Sequence, residues 1–255
     1  MSETYSFSKL KSFEQCRYQY FLTYVLDPER TEEENNAFAE YGGFVHKLLE
    51  RYGKGELEVF ELANEYETHF FEEVLSPFPN SYGKYLGDGY YADGYKFLSE
   101  FEGYEDMDVV GIEQEVLMQI NDLPTPYMFK GYIDLLYKDK DNNLIIRDWK
   151  SKSKFASKRE QAEYAKQLYT YARYVKETYG VFPTAMEFYL FRTQTSIIIP
   201  FVMDDYDKTW EWVNTTISTI RETTDYPLTI NRYYCENLCG YRTVCNQQTE
   251  DENGI

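Results

Sequence analysis

Hydrophobic positions change their period once along the chain. From residue 6 to about 101, apolar and aromatic residues recur three and four positions apart, the spacing of helix faces. Residues 6–26 read as one helix with Ser8 as N-cap. Residues 41–55 read as a short helix opening after Gly43 and stopped by Gly53 and Gly55. Residues 56–75 read as a longer helix. The Pro-, Gly- and Tyr-rich stretch 76–95 reads as loop, followed by a helix from Asp93 to Phe101. From residue 107 the period shortens. Residues 107–120, 127–138 and 144–150 read as strands, with the turn residues "DKDNN" between the last two. A helix over 157–180 ends at Gly180. Two more strands (184–193 and 195–203) and a helix capped by Asp204 or Asp205 follow. The segment from Tyr226 has no clear period.

This order predicts an α/β fold: a central mixed sheet flanked by helices, with a helical region before it and a cysteine-rich segment after it. The divisions are 1–106, 107–225 and 226–246, with an acidic, disordered tail over 247–255. No apolar run approaches the ~20 residues of a membrane span. The first residues, "MSETYSFSKL", lack the apolar core of a signal peptide. The expected location is cytoplasmic.

Charge changes the picture in one place. The formal net charge is -18, which argues against a protein coated in phosphate-binding cations. The acids concentrate in "DPERTEEENN" and "QQTEDENGI". The stretch "KSKSKFASKR" instead carries Lys150, Lys152, Lys154, Lys158 and Arg159 without an acid. It begins where the apolar strand "LIIRDWK" ends in Asp148 and Lys150. If the flanking strands pair about "DKDNN", Asp134 and Asp148 are symmetric about Asp141 and face each other. Asp148 and Lys150 share that face because the side-chain period of a strand is two. Two such carboxylates repel and are costly to desolvate. Lys150 offsets part of this cost. A divalent cation offsets more, and carboxylate oxygens suit Mg²⁺ or Mn²⁺. Glu113 or Glu115, and Lys130, are within reach of the same place.

"GYIDLL", "IIRDWKSKSK" and "QLYTYARYV", in that order, resemble the PD-(D/E)XK nucleases of the RecB type, which carry Gly-x-x-Asp, Asp-x-Lys and Gln-x-x-x-Tyr. "GFVHKLLE" supplies the upstream His of that family, His46. The resemblance implies a restriction-endonuclease-like core and a Mg²⁺- or Mn²⁺-dependent deoxyribonuclease. Asp134, Asp148, His46 and the carbonyl of Trp149 become metal ligands. Lys150 becomes the group that orients water and stabilises charge on the phosphate. Gln167 and Tyr171, on one helix face, contact the DNA backbone or hold the active-site strands. The expected substrate is DNA, single-stranded at its ends, and the expected activity exonucleolytic. Pathways open to such an enzyme include recombination, phage DNA metabolism and CRISPR adaptation, each with its own protein partners. The alternative is a catalytically silent module of the same fold that binds DNA ends or other proteins.

Four cysteines remain: Cys16, and Cys235-x3-Cys239-x5-Cys245. Two disulfides do not suit a reducing cytoplasm. The spacing differs from the paired knuckles of structural zinc sites. Four thiolates can hold a 4Fe-4S cluster. The pattern resembles the iron-sulfur branch of the same family, which includes CRISPR-associated RecB-like exonucleases and the AddB nuclease domain. "CGYRTVC" matches its last two cysteines. The first pair there is often spaced x2. Zinc and free thiols stay open as alternatives.

Overall fold

The computed structural model describes residues 3–26, 36–81, 83–105, 107–242 and 244–245. Most of the acidic loop before Asn36 and the whole acidic tail lie outside the described residues. The elements run β1 (Thr4–Tyr5), α1 (Phe7–Gln15), α2 (Arg17–Tyr24), α3 (Ala37–Gly53), a 3-10 turn (Val59–Glu61) and α4 (Leu62–Glu73). Then come β2 (Asn80–Ser81), β3 (Lys84–Tyr85), α5 (Gly87–Glu100), β4 (Asp108–Ile120), β5 (Tyr127–Lys138) and β6 (Leu144–Lys150). The chain ends with α6 (Lys158–Tyr179), β7 (Ala185–Leu190), β8 (Thr195–Pro200), α7 (Met203–Glu222) and α8 (Arg232–Asn237).

The central sheet is mixed, in the order β1-β5-β6-β7-β8, with β4 also on β5. It is flanked by helices on both faces, as in restriction-endonuclease-like folds. β4 covers one edge of β5 from Tyr127 to Lys138. The other edge of β5 is shared. β1 pairs with Met128 and Phe129, in parallel, and β6 pairs with Leu135 to Lys138. Residues 130–134 of that edge have no strand partner among the described residues.

Two cores sit on the two faces. The first packs α1, α6 and α7 on the sheet through Leu10, Phe13, Phe129, Ile146, Leu168 and Val213. The second packs α3, α4 and α5 through Tyr41, Leu48, Tyr66, Phe97, Leu135 and Trp149. β6 lies between them and is buried from Leu144 to Trp149, which explains its unbroken apolar run. Its one buried cation, Arg147, is held by Glu187 of β7 through two hydrogen bonds of 2.6 and 3.2 Å. Tyr137 and Ser196 donate to the same carboxylate.

Several helix boundaries differ from the sequence reading. The first helix is two: Cys16 is extended (φ -159°) and breaks the run, and Ser6, not Ser8, caps α1 by accepting from the Lys9 N–H. α3 starts at Ala37 and runs through Gly42 and Gly43, capped by the Asn36 side chain. α5 starts at Gly87, not Asp93. Its glycines serve packing: a Cβ at Gly94 would lie 2.4 Å from the Tyr66 hydroxyl. Tyr90 and Tyr91 pack on Tyr41 and Tyr66. α7 is capped at Val202, with Asp204 and Asp205 inside its first turn, where acids complement the helix dipole. Part of the unperiodic C-terminal segment forms α8. Among the described residues no helix is long and apolar enough to cross a membrane.

Candidate active site

The site begins where two strands part. The β5–β6 ladder ends at Leu135 opposite Arg147. The next rung would set Asp134 opposite Asp148, as the symmetry about Asp141 predicts. The ladder gives way there to a side chain: the Trp149 N–H donates to Asp134 Oδ2 at 2.8 Å.

The same rung marks a change of face. On β5, Phe129 and Ile133 belong to the first core, whereas Leu135 and Tyr137 belong to the second. On β4, Val116 and Met118 face the first core and Ile112 packs on the second. Between Ile112 and Gln114, which pair with Leu135 and Ile133, Glu113 falls opposite Asp134. Its φ is +44°. That region costs a non-glycine residue about 1–3 kcal/mol, so the surrounding structure enforces it.

α3 brings His46 to this rung. Its Nε2 is 2.9 Å from the Trp149 carbonyl oxygen. Its Nδ1 is 3.7 Å from Glu113 Oε1 and 3.6 Å from Asp134 Oδ2. One ligand atom from each of His46, Glu113 and Asp134 lies within 4.8 Å of the others, a spacing that can hold a metal ion. On the α6 side, Lys150 Nζ is 2.8 and 2.9 Å from the two Asp148 oxygens. Asp148 Oδ2 has no hydrogen bond of good geometry despite its burial. Lys150 also reaches Gln167 Oε1 at 3.5 Å, and Gln167 Nε2 lies 3.1 Å from the Tyr171 hydroxyl.

Burial and like charge govern the proton affinities. Burial raises Asp148, to about 6, although Lys150 opposes the shift. Burial likewise raises Asp134, with His46 opposing and Glu113 adding to the rise. Burial alone would lower His46, but Asp134, Glu113 and Asp148 outweigh it and push the imidazole up to about 9. Lys150 is raised in the same way: burial works against its charge, and Asp148 and Asp134 overcome it. When Glu113, Asp134 and Asp148 are ionised beside the Lys150 ammonium, the cluster carries two excess negative charges. One divalent cation cancels them. Oxygen and imidazole donors suit Mg²⁺ or Mn²⁺.

One cleft of ≈ 460 Å³ is lined by His46, Glu113, Asp134, Asp148, Trp149, Lys150 and Gln167. Tyr171 is buried behind it and supports Gln167. Glu115 is exposed on β4 and Lys130 is exposed on β5; neither lines the cleft. Glu113 was one of two sequence candidates on β4. Its strained backbone, invisible in the sequence, decides between them. Gly131 has a steric role: a Cβ there would lie 2.5 Å from the Tyr171 ring. Lys152, in the basic run, is tied to Glu160 at 2.9 Å, whereas Lys154, Lys158 and Arg159 are exposed.

The cysteines gather elsewhere. Cys16 sits in the break between α1 and α2. Cys239 and Tyr241 pack on Leu22 in a third small core. Burial pushes the Cys245 thiol up to about 11, and Cys239, Cys16 and Cys235 add to the rise. No disulfide joins any of the four.

The chain belongs to the PD-(D/E)XK nuclease superfamily: that family model matches residues 4–246. It is therefore a nuclease by family, a phosphodiester hydrolase of a metal-dependent class. Comparison with curated proteins finds no significant match. Among solved structures, the chain is similar to one titled "Crystal structure of SSO0001". The identity is 16%, the TM-score 0.38, and the match covers 94% of this chain and 95% of that one.

The Gly131–Tyr171 contact yields a testable expectation. Gly131→Ala overpacks the site and should destabilise the fold by about 1–3 kcal/mol. Urea denaturation measures this, and an unchanged midpoint would show that the tyrosine is not held there.

Proposed function

We propose that the chain is a Mg²⁺- or Mn²⁺-dependent exonuclease acting on the single-stranded ends of DNA, with a 4Fe-4S cluster on its four cysteines. The observation that carries the nuclease reading is the parting of β5 and β6. It places Asp134, Asp148, His46 and the Trp149 carbonyl around one cleft, with an ammonium beside them. Those four groups, joined by Glu113, would hold the ion. When bound, the ion lowers the pKa of a coordinated water and polarises the scissile phosphate.

The chain's own residues do the rest. Asp148 and Asp134 keep Lys150 protonated, so it serves as a charge donor to the phosphate rather than as a base. Gln167 fixes the direction of Lys150, and Tyr171 fixes Gln167. Burial of Asp148 keeps water from screening the pair.

The cluster reading rests on chemistry and placement. Cys16 from the front of the chain meets three cysteines from its end, and each of Cys239 and Cys245 feels the charge of the other three or of two of them. Among the described residues no three of their sulfurs lie within 4.8 Å of one another. A single zinc, with Zn–S bonds of about 2.3 Å, needs them close together. A four-iron cluster is a larger body with thiolates at its corners.

Asp134→Ala and Lys150→Ala should each reduce Mn²⁺-dependent digestion of single-stranded DNA at least about 100-fold, with DNA binding retained in a filter assay. Undiminished digestion by both variants would remove the assigned site. Anaerobically purified protein should be brown, and Cys239→Ala should lose the colour and melt at a lower temperature. A colourless wild type of equal stability would contradict the cluster.

A further inference from the structure

α4 is apolar on two sides. Its inward row, Leu62, Tyr66 and Phe70, packs into the second core. On the outward side Phe71 is 75% exposed, and Leu75, four residues on, is 77% exposed. Phe60, in the 3-10 turn that leads into the helix, is 78% exposed. It precedes Phe71 by eleven residues, about three helical turns, so it extends the same row by about 16 Å. A surface helix carries polar residues opposite its buried row, and a helix apolar all round is covered all round. Single exposed apolar side chains need no explanation, but these adjoin others. The Phe71 ring stacks on Tyr91 of α5, with ring centres 6.0 Å apart. Tyr95, one turn further along α5, is exposed as well. One apolar and aromatic patch therefore runs across the outer side of two helices.

Acids border this patch. Glu67 and Asp88 are both exposed. Glu67 stands one turn before Phe71 and lies close to Tyr91: burial raises the pKa of the Tyr91 hydroxyl, and Glu67 and Tyr95 add to the rise. Asp88 is three residues before Tyr91, on the same helix face. Elsewhere on these two helices acids are matched by cations. Glu65 is paired with Arg51, Glu73 with Lys47, and Asp93 with Arg192. Glu72 meets His69 at 2.9 Å. Glu67 and Asp88 pair with no cation among the described residues. The one lysine of α5, Lys96, comes five residues after Tyr91 and falls off the row of Asp88, Tyr91 and Tyr95.

We propose that this patch docks a basic amphipathic helix of another protein. The partner's apolar row seats on Phe60, Phe71, Leu75 and the two tyrosines, and its lysines or arginines answer Glu67 and Asp88. The charge pattern selects this occupant. A second copy of the chain carries a net charge of -18 and would set the same acids against each other. Nucleic acid and anionic lipid also have the wrong sign. The proposal is independent of the nuclease reading, because none of these residues lines the cleft.

The probe is a fluorescein-labelled peptide of leucine and lysine in amphipathic helical order, about fifteen residues long to match the row from Phe60 to Leu75. Fluorescence anisotropy follows its titration with the full chain. The wild type should bind it. Phe71→Ser and Leu75→Ser, both at exposed positions, should each weaken binding by about tenfold. Glu67→Lys should weaken it too, and so should added salt. The same peptide with glutamate in place of lysine should not bind. Asp134→Asn should bind the basic peptide as the wild type does, which separates the patch from the acidic cleft. Equal affinity in the wild type and the three patch variants, or no binding by the wild type, would overturn the proposal. A peptide-free dimer that Phe71→Ser dissolves, read by sedimentation equilibrium, would overturn it as well, because the patch would then be an interface between copies.

Discussion

The hydrogen bond from the Trp149 N–H to Asp134 Oδ2 is the constraint on which the site depends. A continuing β5–β6 ladder would bury these backbone groups in pairing and leave no opening. The carboxylate takes the place of a ladder acceptor, so the strands separate without leaving a buried N–H unsatisfied. The cleft occupies the gap. It reaches from His46 on α3 to Gln167 on α6, one helix from each face of the sheet. Arg147 and Glu187 hold the adjoining rung on the opposite face of β6, so the separation stays local. Breaking that buried pair by removing one partner leaves an uncompensated charge, a strong reason for β6 to keep its place.

The second consequence is electrostatic. Burial gathers three carboxylates, an imidazole and an ammonium within one cleft, and the proton affinities of His46, Lys150 and Asp148 all rise as a result. A folded-state pKa of about 9 for His46, above its ordinary 6.5, means that its charge stabilises the ion-free chain fully below pH 6.5. That contribution fades as pH rises through 9. A divalent cation held there would take over the role of the imidazole's proton. The global charge of -18 does not conflict with a phosphate substrate, because the charge that meets the phosphate is local.

Much of this was legible in the sequence because it follows from period and symmetry. The turn centre at Asp141 fixed the register of β5 and β6, and the period of two put Asp148 beside Lys150. Strand bounds for β5 and β6 and the Gly180 stop of α6 (φ +77°) follow from side-chain alternation and turn chemistry alone. Features that depend on tertiary contact were not legible. Glycines 87 and 94 look like loop punctuation, yet they make room for tyrosines on a helix face. The break at Cys16 leaves the hydrophobic period intact, so no pattern marks it. The left-handed backbone of Glu113 arises where two strands turn over together, and an alternating strand gives no sign of that.

The central claim is that these residues hold a divalent cation against a proton. Calorimetric titration of Mn²⁺ into the intact protein, in buffers of different ionisation enthalpy between pH 6.5 and 9, tests it most directly. The account expects one binding site, proton release at neutral pH, an affinity that rises with pH, and loss of binding in Asp134→Asn. Mn²⁺ binding that ignores both pH and that substitution, or no binding at all, would contradict it.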